Sequence, residues 1–299
     1  MSEAKEPTTA EAPFNNPDCD IILRSTDGVH FHVFKLILSL MSPVFKDMFT
    51  LPQNNLQSDV LSVPVIPVAE SSTTLKSLLL LCYPATTPTF VSWNDANAMM
   101  KAATKYDMQG ALSRAGDLIT AQFLPDHSLD LYALSCRFGW EHNARVAATS
   151  ALKIKDLGRP SGAFDGMEDI TALDYHRLLV YHYNCSVRCS SALSSTVNMQ
   201  WRRCTCRNSS IKMLQVGNSR DVGIAPWFDE YLVSSGKELF ARPCESTLRE
   251  STSYHRAIVK AAECSSCRSS GNVVESMDTF RALYIARVKK VVAAVSFPS

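Results

Sequence analysis

The chain has 299 residues, which at roughly 150 residues per domain leaves room for about two domains. Hydrophobic residues make up 46% and charged residues 20%, a balance that excludes wholesale disorder and supplies a sizeable core. Lys and Arg (30) nearly balance Asp and Glu (29), and a net charge of +1 lacks the basic excess of a dedicated nucleic-acid binder.

Residues 1–17 are rich in Glu, Ala, Pro and Thr and read as a flexible leader, with order beginning at Asp18. Cys19, Ile21 and Leu23 alternate with Asp20, Ile22 and Arg24, which predicts a strand. Ser25-Thr26-Asp27-Gly28 supplies a turn into Val29-His30-Phe31-His32-Val33, so a hairpin is expected. His30 and His32 share its outward face. The run from Phe34 to Met41 is almost wholly apolar and predicts a buried helix. Ser42-Pro43 starts a second helix, with Val44, Phe45, Met48 and Phe49 as its apolar stripe.

A polar loop covers 51–59, and the extended stretch 60–68 carries Pro64 and Pro67, so any strand there lies at an edge. Ser71-Ser72 caps a leucine-rich helix that ends at Tyr83-Pro84. Ser92 caps a helix over 93–106; others are predicted over 108–123, 126–138 and 141–153. Beyond the linker at 158–162 the pattern is helical throughout. One helix carries Ile170, Leu173, Leu178 and Tyr181; another is opened by Pro226 and closed by Pro243. Two more span 247–262 and 273–295, the last with Phe280, Leu283, Tyr284 and Val288 inward. No apolar run approaches the roughly 20 residues of a membrane span, and no export signal is read at the start. The expected setting is the cytoplasm, the nucleus or both.

No nucleotide cradle, nucleophile elbow or His-Glu-x-x-His motif occurs, and no carboxylate pair makes a case for acid–base work. The expectation is a protein without catalytic activity and without a bound cofactor. His176 and His182, six apart, do not share a helical face and are expected on a polar face or interface. Cys19, Cys82 and Cys136 read as small buried hydrophobes. The other seven cysteines fall between Cys185 and Cys267. Among them, Cys204-Thr205-Cys206 and Cys264-Ser265-Ser266-Cys267 form two close pairs. Cys204, Cys206, Cys264 and Cys267 are therefore candidate ligands for a structural zinc, weighed against ordinary core thiols.

Asp18 to Leu23, Asp27-Gly28-Val29-His30-Phe31, Leu38, Ser42-Pro43-Val44-Phe45 and Met48-Phe49 together resemble a BTB/POZ domain. The order of elements is similar too, and the resemblance covers about 18–124. Many members place a His just after the hairpin, where this chain has Phe34-Lys35. The variant Val33 to Ser39, with Tyr175-His176-Arg177, Pro226-Trp227 and Cys264 to Arg268, resembles a large group of fungal BTB-domain proteins. The resemblance implies an α+β fold, a small sheet flanked by helices, followed by a mainly α-helical C-terminal region. The expected division is a leader at 1–17, a BTB/POZ domain at 18–124, a helical extension at 125–157 and a helical domain at 158–299.

The resemblance further implies a protein–protein interaction adaptor. Its BTB domain would form a homodimer or bind a cullin-type ubiquitin-ligase scaffold, while its helical half binds a client. Members that exchange strands in a dimer usually have an ordered helix before the first strand. The leader in that place resembles the short form, some of which stay monomeric. Phe45, Met48 and Phe49 are the candidate contact residues, against the simpler reading of Phe45 and Phe49 as core. A second reading is a transcriptional or chromatin regulator. In it, Arg202-Arg203-Cys204-Thr205-Cys206-Arg207 would belong to a cysteine-rich zinc module touching nucleic acid.

Overall fold

The computed structural model describes residues 8–51, 63–83, 87–124, 126–159, 163–192, 213–216, 219–223, 225–269 and 272–298. The chain divides into two compact units, Met1–Leu124 and Pro125–Ser299.

The first unit is built on a four-stranded mixed sheet of order β1-β3-β2-β4. β2 (Ile21–Arg24) buries Ile21 and Leu23 and points Arg24 outward, as its alternation requires. β3 (Val29–Val33) pairs antiparallel with β2, Leu23 facing Phe31. The turn between them needs a positive φ, which Gly28 supplies at +85°. Ser25 Oγ also accepts from Val29 N at 2.9 Å. β4 (Val65–Pro67) pairs parallel with β2 at the sheet edge, where Pro67 and the preceding Pro64 are tolerated despite having no N–H to donate. Pro64 contributes only its carbonyl, accepting from Ile22 N at 2.9 Å.

The leader differs from the expectation. β1 (Thr8–Thr9) pairs parallel with β3, and Ala10 N and His32 N donate to His30 O and Phe14 O. Phe14 is fully buried, its ring 5.8 Å from Phe31 and edge-on to Tyr83 at 5.3 Å. A single large apolar side chain and an otherwise open strand edge hold residues 8–17 in place. Thus the ordered fold begins before Asp18.

α1 (Lys35–Met41) and α2 (Pro43–Thr50) follow, with Ser42 closing the first and capping the second. Its hydroxyl accepts from Phe45 N at 3.0 Å and donates to Tyr106 O. α3 (Ser72–Cys82) is capped by Ser71 and stopped at Tyr83, whose hydroxyl accepts from Phe34 N at 3.1 Å. α4 (Trp93–Lys105) is capped by Ser92, and α5 (Gln109–Phe123) completes the unit. The chain reverses between them at Asp107, in the left-handed region at φ 48°. Buried Glu70 accepts from Lys105 Nζ at 2.8 Å and Tyr106 OH at 2.6 Å, tying the segment after β4 to the end of α4.

In the second unit α6 (Ser128–Arg137) and α7 (Glu141–Ala151) form a helical hairpin. A 3₁₀ turn, Asp165–Glu168, packs against α6 at Gly166, where a Cβ would come within 2.9 Å of the Ala133 methyl. Asp130 accepts from Gly166 N at 2.8 Å. α8 (Ala172–Ser190) is capped by Thr171 and lies on α9 (Pro226–Ala241), which starts at Pro226. Between them in sequence, β5 (Met213–Val216) and β6 (Ser219–Gly223) pair antiparallel within the expected mainly α-helical region. The expected break at 157/158 falls inside this unit.

The helix expected over 247–262 is two: α10 (Glu245–Arg249) and α11 (Thr252–Glu263), the second capped by Ser251. α12 (Ser265–Ser269) and α13 (Val273–Ala293) end the unit. Its core is aromatic, Phe228 meeting Phe280 edge-on at 5.0 Å with Trp227, Tyr231, Tyr254 and Tyr284 around them. Leu283, expected inward, is exposed, and so is Leu173. On α8 the inward stripe is instead Leu178, Tyr181, Cys185 and Cys189. His182, expected on a polar face or interface, is buried, with Nε2 at 3.3 Å from Ile154 O and Nδ1 at 3.4 Å from Ser186 Oγ. His176 is exposed.

Candidate interaction site

α1 packs one side onto the first unit through Leu38, which is fully buried. Its opposite side carries Leu36 and Leu40, 70% and 77% exposed. Spacing of four residues stacks these two on one face. The almost wholly apolar run Phe34–Met41 predicted a buried helix. A helix of seven residues laid on a small unit can bury only one stripe, and the other leucines remain in water. Val44 and Leu51, at either end of α2, are also exposed. Large exposed apolar side chains that sit together mark association sites more often than isolated ones do. Covering the Leu36–Leu40 pair would stabilise a complex by on the order of 3 kcal/mol before association costs.

Of the three predicted contact residues, Phe45 is fully buried, stacked on Tyr106 at 4.4 Å and on Phe49 at 5.8 Å. It is a core residue, because the cap at Ser42 aims the first turn of α2 inward. Met48 and Phe49 are half-buried, so neither projects freely. Of the two helices, α1 rather than α2 carries the more exposed leucines. Leu36 and Leu40 share a face that Leu38 does not, but the apolar run itself does not say which of the two faces meets the core.

The rim of the sheet is polar. Burial pushes the His30 imidazole below its ordinary value, with Arg24 adding to the effect. His32 Nδ1 lies 3.2 Å from Asn16 O. Both histidines are therefore half-buried parts of the edge that residues 8–17 cover.

Cys204 and Cys206 lie outside the described residues, as does the run Arg202–Arg207. Cys264 and Cys267 flank the junction of α11 and α12; burial raises the Cys267 thiol, and the neighbouring Cys264 raises it further. Among the described residues no group of three or more His, Cys, Asp or Glu is arranged to hold a metal ion. Cys185 and Cys189 are buried, and burial pushes their thiols up to about 11 and about 12. Cys19 and Cys82 are buried and Cys136 is half-buried.

The first unit is thus a small mixed sheet with helices around it, one of them presenting Leu36 and Leu40 to solvent. Among the described residues no helix is long and apolar enough to cross a membrane. The family model of the BTB/POZ domain matches residues 12–122, and this part of the chain is a BTB/POZ domain, in general a module of protein–protein interaction. The match begins within the segment that carries Phe14. No curated protein matches the chain.

Proposed function

We propose that the protein is a non-catalytic interaction adaptor whose BTB/POZ domain self-associates through the α1 face, while its helical unit binds a client. The observation that carries this reading is the paired exposure of Leu36 and Leu40 above a buried Leu38. β1 pairs with β3 of its own chain, so self-association of this kind needs no exchange of strands. Hydrogen exchange on the full chain tests it. Amides of Lys35–Met41 gain protection as concentration rises if the face pairs; concentration-independent exchange there overturns self-association through α1. A binding assay with a purified cullin scaffold then examines the alternative use of the BTB surface, as a ubiquitin-ligase substrate adaptor.

A structural zinc held by Cys204, Cys206, Cys264 and Cys267 is a second proposal, supported by the Cys-x-x-Cys spacing of the last two at the junction of α11 and α12. Metal analysis of protein purified without chelator is expected to give about one zinc per chain, the stoichiometry of a closed four-ligand site. A content near zero removes it. The transcriptional reading rests on Arg202–Arg207 alone and predicts salt-dependent DNA binding.

A further inference from the structure

Within the second unit a cleft of about 690 Å³ opens between α7, α8, α13 and the segment after α13. That volume falls within the roughly 300–1,000 Å³ of small-molecule sites. Its walls differ in chemistry. Val288 and Val292 of α13, with Leu152, Val295 and Phe297, form an aliphatic and aromatic side. Phe297 is fixed there by Tyr181 at 5.2 Å and Tyr132 at 6.0 Å. On the other side Arg145, Thr149 and Lys153 follow one another at four-residue spacing along α7 and the turn after it. The Tyr181 hydroxyl joins them, 3.3 Å from Thr149 Oγ1.

Charge decides what such a cleft takes. Its one carboxylate, Glu245, is already engaged by Lys289 at 2.8 Å and by Arg249 at 3.9 Å. Arg145 and Lys153 form no ion pair among the described residues. Two cations thus face a cavity whose far wall is apolar. A cationic or neutral polar occupant would leave one wall unmatched.

We propose that this cleft binds a small amphipathic carboxylate, its head on Arg145 and Lys153 and its aliphatic body against Val288, Val292 and Phe297. A cleft of this volume suits a small molecule better than a peptide segment, and the unpaired cations set the sign of its charge. The site goes beyond the adaptor reading and does not depend on α1.

Calorimetry on the full chain tests it with three probes: dodecanoate, acetate and dodecyltrimethylammonium. Dodecanoate is expected to bind at least about tenfold more tightly than acetate, which lacks the body, or the ammonium, which reverses the charge. The double variant R145A/K153A, altered only at exposed positions, is expected to lose about tenfold in dodecanoate affinity with an unchanged melting curve. V292F, which fills the apolar end, is expected to lower affinity as well. No dodecanoate binding up to about 1 mM, or an affinity unchanged in R145A/K153A, overturns the proposal. Tighter binding of an acidic decapeptide than of dodecanoate overturns the small-molecule assignment.

Discussion

Phe14 shows how one side chain can decide whether a segment is part of a fold. It contributes no secondary structure, yet its ring is sealed between Phe31 and Tyr83. Truncation to Ala is expected to cost about 3 kcal/mol, read by denaturant unfolding, and to loosen residues 8–17 on the β3 edge. Phe45→Ala should cost a similar amount, because it empties the stack on Tyr106; its effect on association should follow stability alone.

Asp27 illustrates a different economy at the same scale. Its carboxylate accepts from both the backbone and the hydroxyl of Ser72, joining the hairpin turn to the start of α3. The Ser72 hydroxyl, then Ser25, holds its pKa down at about 2. An NMR titration should find Asp27 well below the ordinary carboxylate value, and Ser72→Ala should move it up. An Asp27 midpoint already at the ordinary value contradicts the contact.

His182 gives the pH dependence. Burial lowers its pKa, opposed by its hydrogen bond to Ile154 O and by Asp156. The folded state therefore prefers the neutral ring. This contribution to stability is complete above the unfolded pKa, about 6.5, and is lost as pH falls from there towards the folded value. His30 titrates in the same direction in the first unit. The melting temperature of the second unit should fall between about pH 7 and pH 5, and His182→Gln should flatten that slope. An unchanged slope in the variant contradicts the assignment.

At the scale of elements, the helix starts were the most legible feature. Ser42, Ser71 and Ser92 each accept from the backbone N–H three residues on. Pro226 stands at the first position of α9. Local chemistry fixes such positions, so the sequence alone reveals them. The edge position of β4 was legible for the same reason, since Pro64 and Pro67 cannot donate.

What escaped was set by distant contacts. The break within 247–262 is an exception, being local: Ser251 caps α11 by accepting from Ser253 N, and the polar run Glu250–Ser253 carried that signal. The segment 8–17 is held by β3, and His182 by Ile154, each across more than ten residues. The α1 face was misread because a run of apolar residues carries no period to say which side meets the core. At a concentration low enough for the wild type to be monomeric, Leu36→Asp with Leu40→Asp should accordingly leave unfolding within about 0.5 kcal/mol of wild type, since exposed positions contribute little to the fold of the single chain. A large destabilisation would mean that the face is packed.

At the scale of the whole chain, the two units carry different kinds of surface. Met1–Leu124 holds the BTB/POZ domain with its exposed leucine pair. Pro125–Ser299 holds an aromatic core and the cleft lined by Arg145 and Lys153. The fold class of the first unit was readable from motif and element order together. Its exposed apolar face was not, because exposure is a property of the assembled unit and leaves no mark on any one segment.

Size exclusion with light scattering on the full chain at micromolar concentration tests the self-association of α1 most directly. The expected mass is near twice 33.0 kDa for the wild-type protein and near 33.0 kDa for the Leu36→Asp, Leu40→Asp variant. A wild-type mass of 33.0 kDa, or a dimer that survives both substitutions, would contradict it.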